Sequence, residues 1–157
     1  MKIAELIMIV AGGLWVGAAL AILVDRVPAW GEMSDEEFVV DFRRVLHNMD
    51  PMQPALAVIT TVAAIVFVLL ADDASGALAW ASIGIYVLII LAPLIAYPFR
   101  SRFTFYPDMI ALVGKEDADA AAIDVDSMRR LWGRLHLWRT VLGIAAFVGL
   151  AIVAVDL

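Results

Sequence analysis

Four stretches of the chain are nearly unbroken runs of apolar residues: 3–24, 52–71, 77–97 and 135–155. Each is close to the roughly 20 residues that an α-helix needs to cross the hydrocarbon of a bilayer. Between the first and second runs, Phe38, Phe42, Val45, Leu46 and Met49 recur at helical spacing, while Arg43 and His47 fall on the other face. That pattern predicts a short amphipathic helix lying on the membrane or against the bundle. Ser34-Asp35-Glu36-Glu37 stands at its start as a capping box, with Ser34 at the N-cap and Glu37 three residues on. Asp25-Arg26-Val27-Pro28 closes the first run, and Gly13 and Gly17 within it form a small-xxx-small pair suited to close helix packing. The first run lacks the short core and basic start of a signal peptide, so it is kept as a helix.

Pro51 and Pro54 mark the turn into the second span. Asp72 to Gly76 is a tight connection, which makes the second and third spans antiparallel neighbours. Pro93 is expected to kink the third span. A long polar connection, Arg100 to Val125, follows, acidic and Ala-rich from Lys115 to Asp126. No Pro interrupts the chain from about Asp126 to Val155, so the fourth span is the inner part of one long helix. The predicted fold is all-α: an integral membrane four-helix bundle, a single transmembrane domain over 1–157, with a short amphipathic helix in the first cytoplasmic loop.

Composition sharpens this picture. A chain that is 64% hydrophobic with mean hydropathy +0.92 lies far outside the range of soluble domains. The absence of Cys excludes disulfides, a thiolate nucleophile, iron–sulfur clusters and covalently attached haem. A net charge of −6 argues against nucleic acid as a partner. Of the 11 Lys and Arg, all but Lys2 fall in or beside the 25–52 and 98–137 loops: Arg26, Arg43, Arg44, Arg100, Arg102, Lys115, Arg129, Arg130, Arg134 and Arg139. The positive-inside rule then puts both loops in the cytoplasm and both termini outside the cell membrane.

Candidate chemistry concentrates where the last helix enters the membrane. In Arg129-Arg130-Leu131-Trp132-Gly133-Arg134-Leu135-His136-Leu137-Trp138-Arg139-Thr140, a turn of about 100° per residue aligns Arg129, Trp132, His136, Arg139 and Thr140 with Gly143. Interfacial anchoring accounts for Arg130 and Trp138, but less well for ionisable groups aligned on one stripe of a membrane helix. Gln53, Ala57, Thr60 and Ala64 share a small or polar face of the second span, and Ser82, Tyr86, Pro93 and Tyr97 share one of the third. A bundle turns such faces inward. The expected site is a pocket opening from the cytoplasmic half, floored by Tyr86 and Thr60, with His136 and Arg139 at its mouth and Gln53 and Tyr97 at the same cytoplasmic level. There His136 can move a proton, Arg139 can hold a carboxylate, phenolate or developing oxyanion, and Trp132 can stack on a flat ligand. The alternative is a His–Arg–Tyr network that only fixes helix register, and Thr60 bonded back to its own helix. No Gly-rich phosphate loop, HExxH or nucleophile elbow is present, and two histidines with Asp50 make a poor metal site.

The stretch Arg130 to Gly143 resembles the last-helix signature of the anthrone oxygenase-like family of small four-helix membrane proteins: a Trp, then Leu-His, then Arg-Thr, here Trp132, Leu135-His136 and Arg139-Thr140. The Gly-rich first span, Pro28 and the Met52-Gln53-Pro54 segment are similar too, so the resemblance covers most of the chain, with the last helix its specific part. Many members carry Pro-x-Asn after the third helix, whereas Pro98 here is followed by Phe99 and Arg100. The resemblance implies oxidation of an anthrone-like phenolic compound by dioxygen without an added cofactor. Under it His136 would be the base and Arg139 the group that steadies the anion; the inward-facing stripes add Arg129, Trp132, Tyr97, Tyr86, Gln53 and Thr60 as the substrate-binding set. Two other classes stand beside it: a non-enzymatic accessory subunit of a membrane complex, and a b-type haem protein with His47 and His136 as axial ligands.

Overall fold

The computed structural model describes residues 2–49, 52–71, 76–96 and 124–155. It is all-α, with no strand among the described residues. The helices are α1 (Lys2–Ala21), α2 (Val27–Glu32), α3 (Asp35–Met49), α4 (Met52–Leu70), α5 (Ala77–Ala96) and α6 (Val125–Val155), with a π-helical turn, Ile22–Arg26, joining α1 to α2. Three helical stretches, Lys2–Glu32, Asp35–Leu70 and Val125–Val155, contain segments long and apolar enough to cross a membrane, and Ala77–Ala92 is a shorter apolar helix. The chain is a membrane protein built as a helical bundle. Its four apolar helices form a closed ring of contacts, α4 on α1, α1 on α6, α6 on α5 and α5 on α4.

The helix of the first span does not break at Asp25–Pro28. The backbone stays helical through Ala21, Arg26 and Val27, and ends only at the extended Met33. Pro28 accounts for how it continues. Proline has no N–H to return to the carbonyl four residues back, and its ring crowds that carbonyl. The turn before it is therefore wide: the Val27 N–H reaches back five residues to the Ile22 carbonyl, and Pro28 sits in the first turn of a fresh helix, where a missing N–H costs little.

The capping box at Ser34 forms as its sequence predicts. The Ser34 N–H donates to Glu37 Oε2 at 2.9 Å, and the Glu37 N–H donates to Ser34 Oγ at 3.3 Å. These bonds hold the Glu37 carboxyl below its usual value. Asp124 caps α6 in the same way by accepting the Ser127 N–H at 3.0 Å, which lowers its own carboxyl.

Two apolar clusters result. In the inner one, Met8, Trp15, Ala19, Ala57, Ala64, Phe67, Ile83, Tyr86, Ala146 and Leu150 pack among the four spans. In the outer one, Trp30, Phe38, Val39, Phe42 and Leu46 pack with Val125 and Met128 at the start of α6. The amphipathic helix α3 is thus folded against the end of the bundle, its Phe38, Phe42 and Leu46 buried and His47 exposed.

The close helix approach in α1 is not at the expected Gly13–Gly17 pair. A methyl on Gly17 would meet nothing within 4 Å, whereas one on Gly12 would lie 2.8 Å from the Phe147 ring. Met8, Gly12, Trp15 and Ala19 make the buried stripe, spaced four, three and four residues apart, and Gly17 is exposed.

Candidate functional site

Between the two clusters lies a polar layer centred on α6. Trp132, His136, Arg139 and Thr140 occupy successive turns of that helix, and His136 is only 2% exposed. The Thr140 hydroxyl donates back to the His136 carbonyl at 2.8 Å, so it is satisfied within its own helix. The imidazole has a partner at each nitrogen. Arg139 Nη2 stands 2.9 Å from Nδ1, and Nε2 stands 2.9 Å from the Ala19 carbonyl oxygen of α1. A guanidinium can only donate, so Nδ1 holds a lone pair and Nε2 carries the hydrogen that bonds Ala19. Arg139 Nη2 also donates to Gln53 Oε1 of α4 at 2.6 Å. One side chain therefore ties α6 to α4 while orienting a histidine that ties α6 to α1. Measured interhelical hydrogen bonds in bilayers are each worth about 0.6 to 2 kcal/mol.

The ring of Trp132 covers the imidazole, stacked at 4.6 Å with planes 7° apart. Its edges meet Trp30 at 5.0 Å and Phe42 at 5.4 Å. Trp30 is fixed in turn by its Nε1–H donating to Asp41 Oδ2 at 2.8 Å, and Asp41 also takes Arg26 at 3.3 Å. An aromatic wall thus runs without interruption from the outer cluster to His136. The Trp132 face expected to stack on a flat ligand is stacked on the histidine instead.

Of the expected site residues, the structure brings together His136, Arg139, Gln53 and Trp132. Arg129 does not join them. Two turns earlier than His136 on the same helix, it donates to the Met33 carbonyl at 3.2 Å, pairs with Asp35 at 3.3 Å and Asp126 at 3.6 Å, and lies 4.8 Å over the Phe38 ring. It is a latch between α6 and the α2–α3 corner. Thr60 is buried, with its hydroxyl bonded to the Leu56 carbonyl of its own helix at 2.8 Å. Tyr86 is fully buried, with Trp15 edge-on at 5.7 Å, and its hydroxyl has no partner among the described residues. Thr60 and Tyr86 therefore belong to the inner packing around α1 and are not joined by any bond to His136. Tyr97, the 98–123 connection and the 72–75 turn lie outside the described residues.

Two participants escape the sequence. The Ala19 carbonyl is backbone and carries no side-chain signal. Trp15 lies where a methyl on Gly143 would be, so its ring lies directly against α6 at Gly143. The available signal was its place on the Met8–Ala19 stripe. Among the described residues, no three His, Cys, Asp or Glu side chains gather as a metal site would require. His47 is exposed on α3, while both nitrogens of His136 are engaged inside the bundle. An open groove of about 620 Å³, lined by Glu32, Met33, Glu36, Glu37, Val40 and Arg44 among others, contains none of the residues in the polar layer.

Chemically, the layer sets a lone pair and a fixed cation at one point, with the far side of the imidazole anchored to a carbonyl. No family model matches the chain, and no curated protein or solved structure matches it.

Proposed function

We propose that the chain is a membrane-embedded, cofactor-free oxygenase of the anthrone oxygenase-like kind, acting on a hydrophobic phenolic or enolisable aromatic compound. The observation that carries this reading is the 2.9 Å contact between His136 Nδ1 and Arg139 Nη2. Nδ1 takes a proton from the substrate's acidic O–H or C–H, and the electron pair left behind becomes an anion beside the guanidinium. The Ala19 carbonyl, accepting from Nε2–H, holds the tautomer that keeps the lone pair on Nδ1, which acts as the base once Arg139 turns from it to the substrate anion, and it supports the imidazolium that forms. Dioxygen is the oxidant. The anion's electrons pass to it, a C–O bond forms as a hydroperoxide, and loss of water breaks the O–O bond to leave a ketone. A CH₂ group and O₂ thus become C=O and H₂O. Substrate reaches the site from the bilayer, at the end of the bundle that the Lys and Arg pattern assigns to the cytoplasm.

A second reading is favoured by a different observation: both imidazole nitrogens and one imidazole face are occupied by groups of the chain itself. In that reading the layer only locks three helices in register, and the protein is an accessory subunit of a membrane complex.

Turnover of anthrone with dioxygen by detergent-purified protein, measured beside its melting temperature, separates the two. As an enzyme, His136→Ala is expected to lose ~10²–10⁴-fold in rate while remaining folded. Arg139→Lys also loses rate, because an ammonium does not reproduce the planar fork. A His136→Ala protein that is folded and fully active would remove the catalytic role. Activity that falls only in step with the amount of folded protein would favour the subunit.

A further inference from the structure

Gln53 is 2% exposed, at the start of α4, and its amide is only half used. Its Oε1 accepts from Arg139, and its Nε2 is buried with no partner among the described residues. The orientation of the amide follows from chemistry. The guanidinium has no acceptor, so oxygen must face it and the NH₂ must face away from it. Native interiors rarely leave such a donor unmatched. The unmatched donor is also not isolated. The same amide touches the cation that touches the histidine lone pair, so the unmatched N–H belongs to a group two hydrogen bonds removed from His136 Nδ1.

We infer that Gln53 is a substrate-recognition residue, its Nε2–H receiving the substrate oxygen that becomes negative when His136 Nδ1 takes its proton. The inference rests on the proposed function and adds the side chain by which the substrate oxygen is recognised. The compound carries a weakly acidic hydroxyl or an enolisable carbonyl on a flat apolar body, and an aromatic hydrocarbon of the same size lacks the recognised group. In the bound state the O–H bond of a phenol breaks, its proton goes to Nδ1 as Arg139 releases that nitrogen, and its electron pair stays on the oxygen that accepts from the Gln53 amide N–H. Gln53 also has a positioning role, since Oε1 holds the guanidinium in place.

The discriminating variant is Gln53→Glu. It keeps an acceptor for Arg139, removes the donor and adds a negative charge where the substrate oxygen would sit. Gln53→Met, which removes both functions, is the second variant. Binding of 1-naphthol and of naphthalene to the purified full chain is followed by quenching of its Trp fluorescence, with melting temperature recorded for each variant. The wild type is expected to prefer 1-naphthol. Gln53→Glu is expected to keep the wild-type melting temperature, keep naphthalene binding, and lose 1-naphthol affinity by about tenfold or more, the scale of a hydrogen bond to a charged group. Gln53→Met loses the same preference and also melts lower, because Arg139 has lost an acceptor. If the wild type prefers 1-naphthol and Gln53→Glu keeps that preference, the role of Gln53 is overturned while the phenol-binding site stands. If the wild type binds both compounds equally, no oxygen is recognised and the inference falls even if anthrone is turned over. If neither compound binds, the proposed function fails with it.

Discussion

Arg139 Nη2 carries two hydrogens, one directed at Gln53 Oε1 and the other at His136 Nδ1. Two acceptors on different helices therefore share one donor atom, and any movement of α4 against α6 is felt at the imidazole. Ten ångström or so deeper, by a rise of about 1.5 Å per residue, the pattern reverses. Gly143 meets Trp15, Trp15 meets the edge of Tyr86, and the Tyr86 hydroxyl has no partner among the described residues. A buried hydroxyl without a partner costs roughly 1–3 kcal/mol relative to one that is satisfied. Tyr86→Phe removes that cost and keeps the ring against Trp15. The variant is expected to melt at or above the wild-type temperature, with a gain on the order of 1 kcal/mol. A clear fall in melting temperature would mean that the hydroxyl has a partner in the folded protein.

At the scale of the helix, periodicity reports an angle but no height and no partner. Trp132, His136, Arg139, Thr140 and Gly143 were readable as one inward stripe of α6 because the 3.6-residue repeat runs unbroken through them, and all but Trp132 and Arg139 are buried outright. Arg129 shares their angle, yet it lies two turns nearer the helix start, level with the α2–α3 corner, and pairs there. The amphipathic α3 and its Ser34 cap were equally legible, since both are written in local spacing. What could not be read was which surface meets which: the carbonyl of Ala19 has no sequence signature, and the choice of Gly12 over Gly17 depends on where α1 meets its neighbours. Glycines therefore test the packing directly. Gly143→Ala places a methyl inside the Trp15 ring and should lower stability by about 1–3 kcal/mol. Gly17→Ala meets nothing within 4 Å and should melt unchanged or slightly higher, because alanine favours a helix. Equal losses at the two positions in a thermal melt would contradict the packing of α1 on α6.

At the scale of the whole molecule, the arginines among the described residues and the polar layer lie toward one end. The outer cluster joins α2, α3 and the start of α6, which gathers Arg26, Arg43, Arg44, Arg129, Arg130 and Arg134 there, with Arg139 just inside. Lys2, at the start of α1, is separated from that end by the full length of the helix. Glu32, Asp35, Glu36, Glu37 and Asp41 share the basic end, but acidic residues contribute little to how a membrane protein is oriented. The expected arrangement puts the basic end, and with it the Trp132–His136–Arg139 layer, on the cytoplasmic side. A chain without cysteine allows a clean measurement, because a single introduced thiol is the only one to react. In intact cells a membrane-impermeant maleimide should label Lys2→Cys at once. Glu36→Cys, exposed on α3, should be labelled only after the membrane is opened. Labelling of Glu36→Cys but not Lys2→Cys in intact cells would turn the molecule over and place the polar layer on the outer side. Substrate and proton would then have to reach the site from outside.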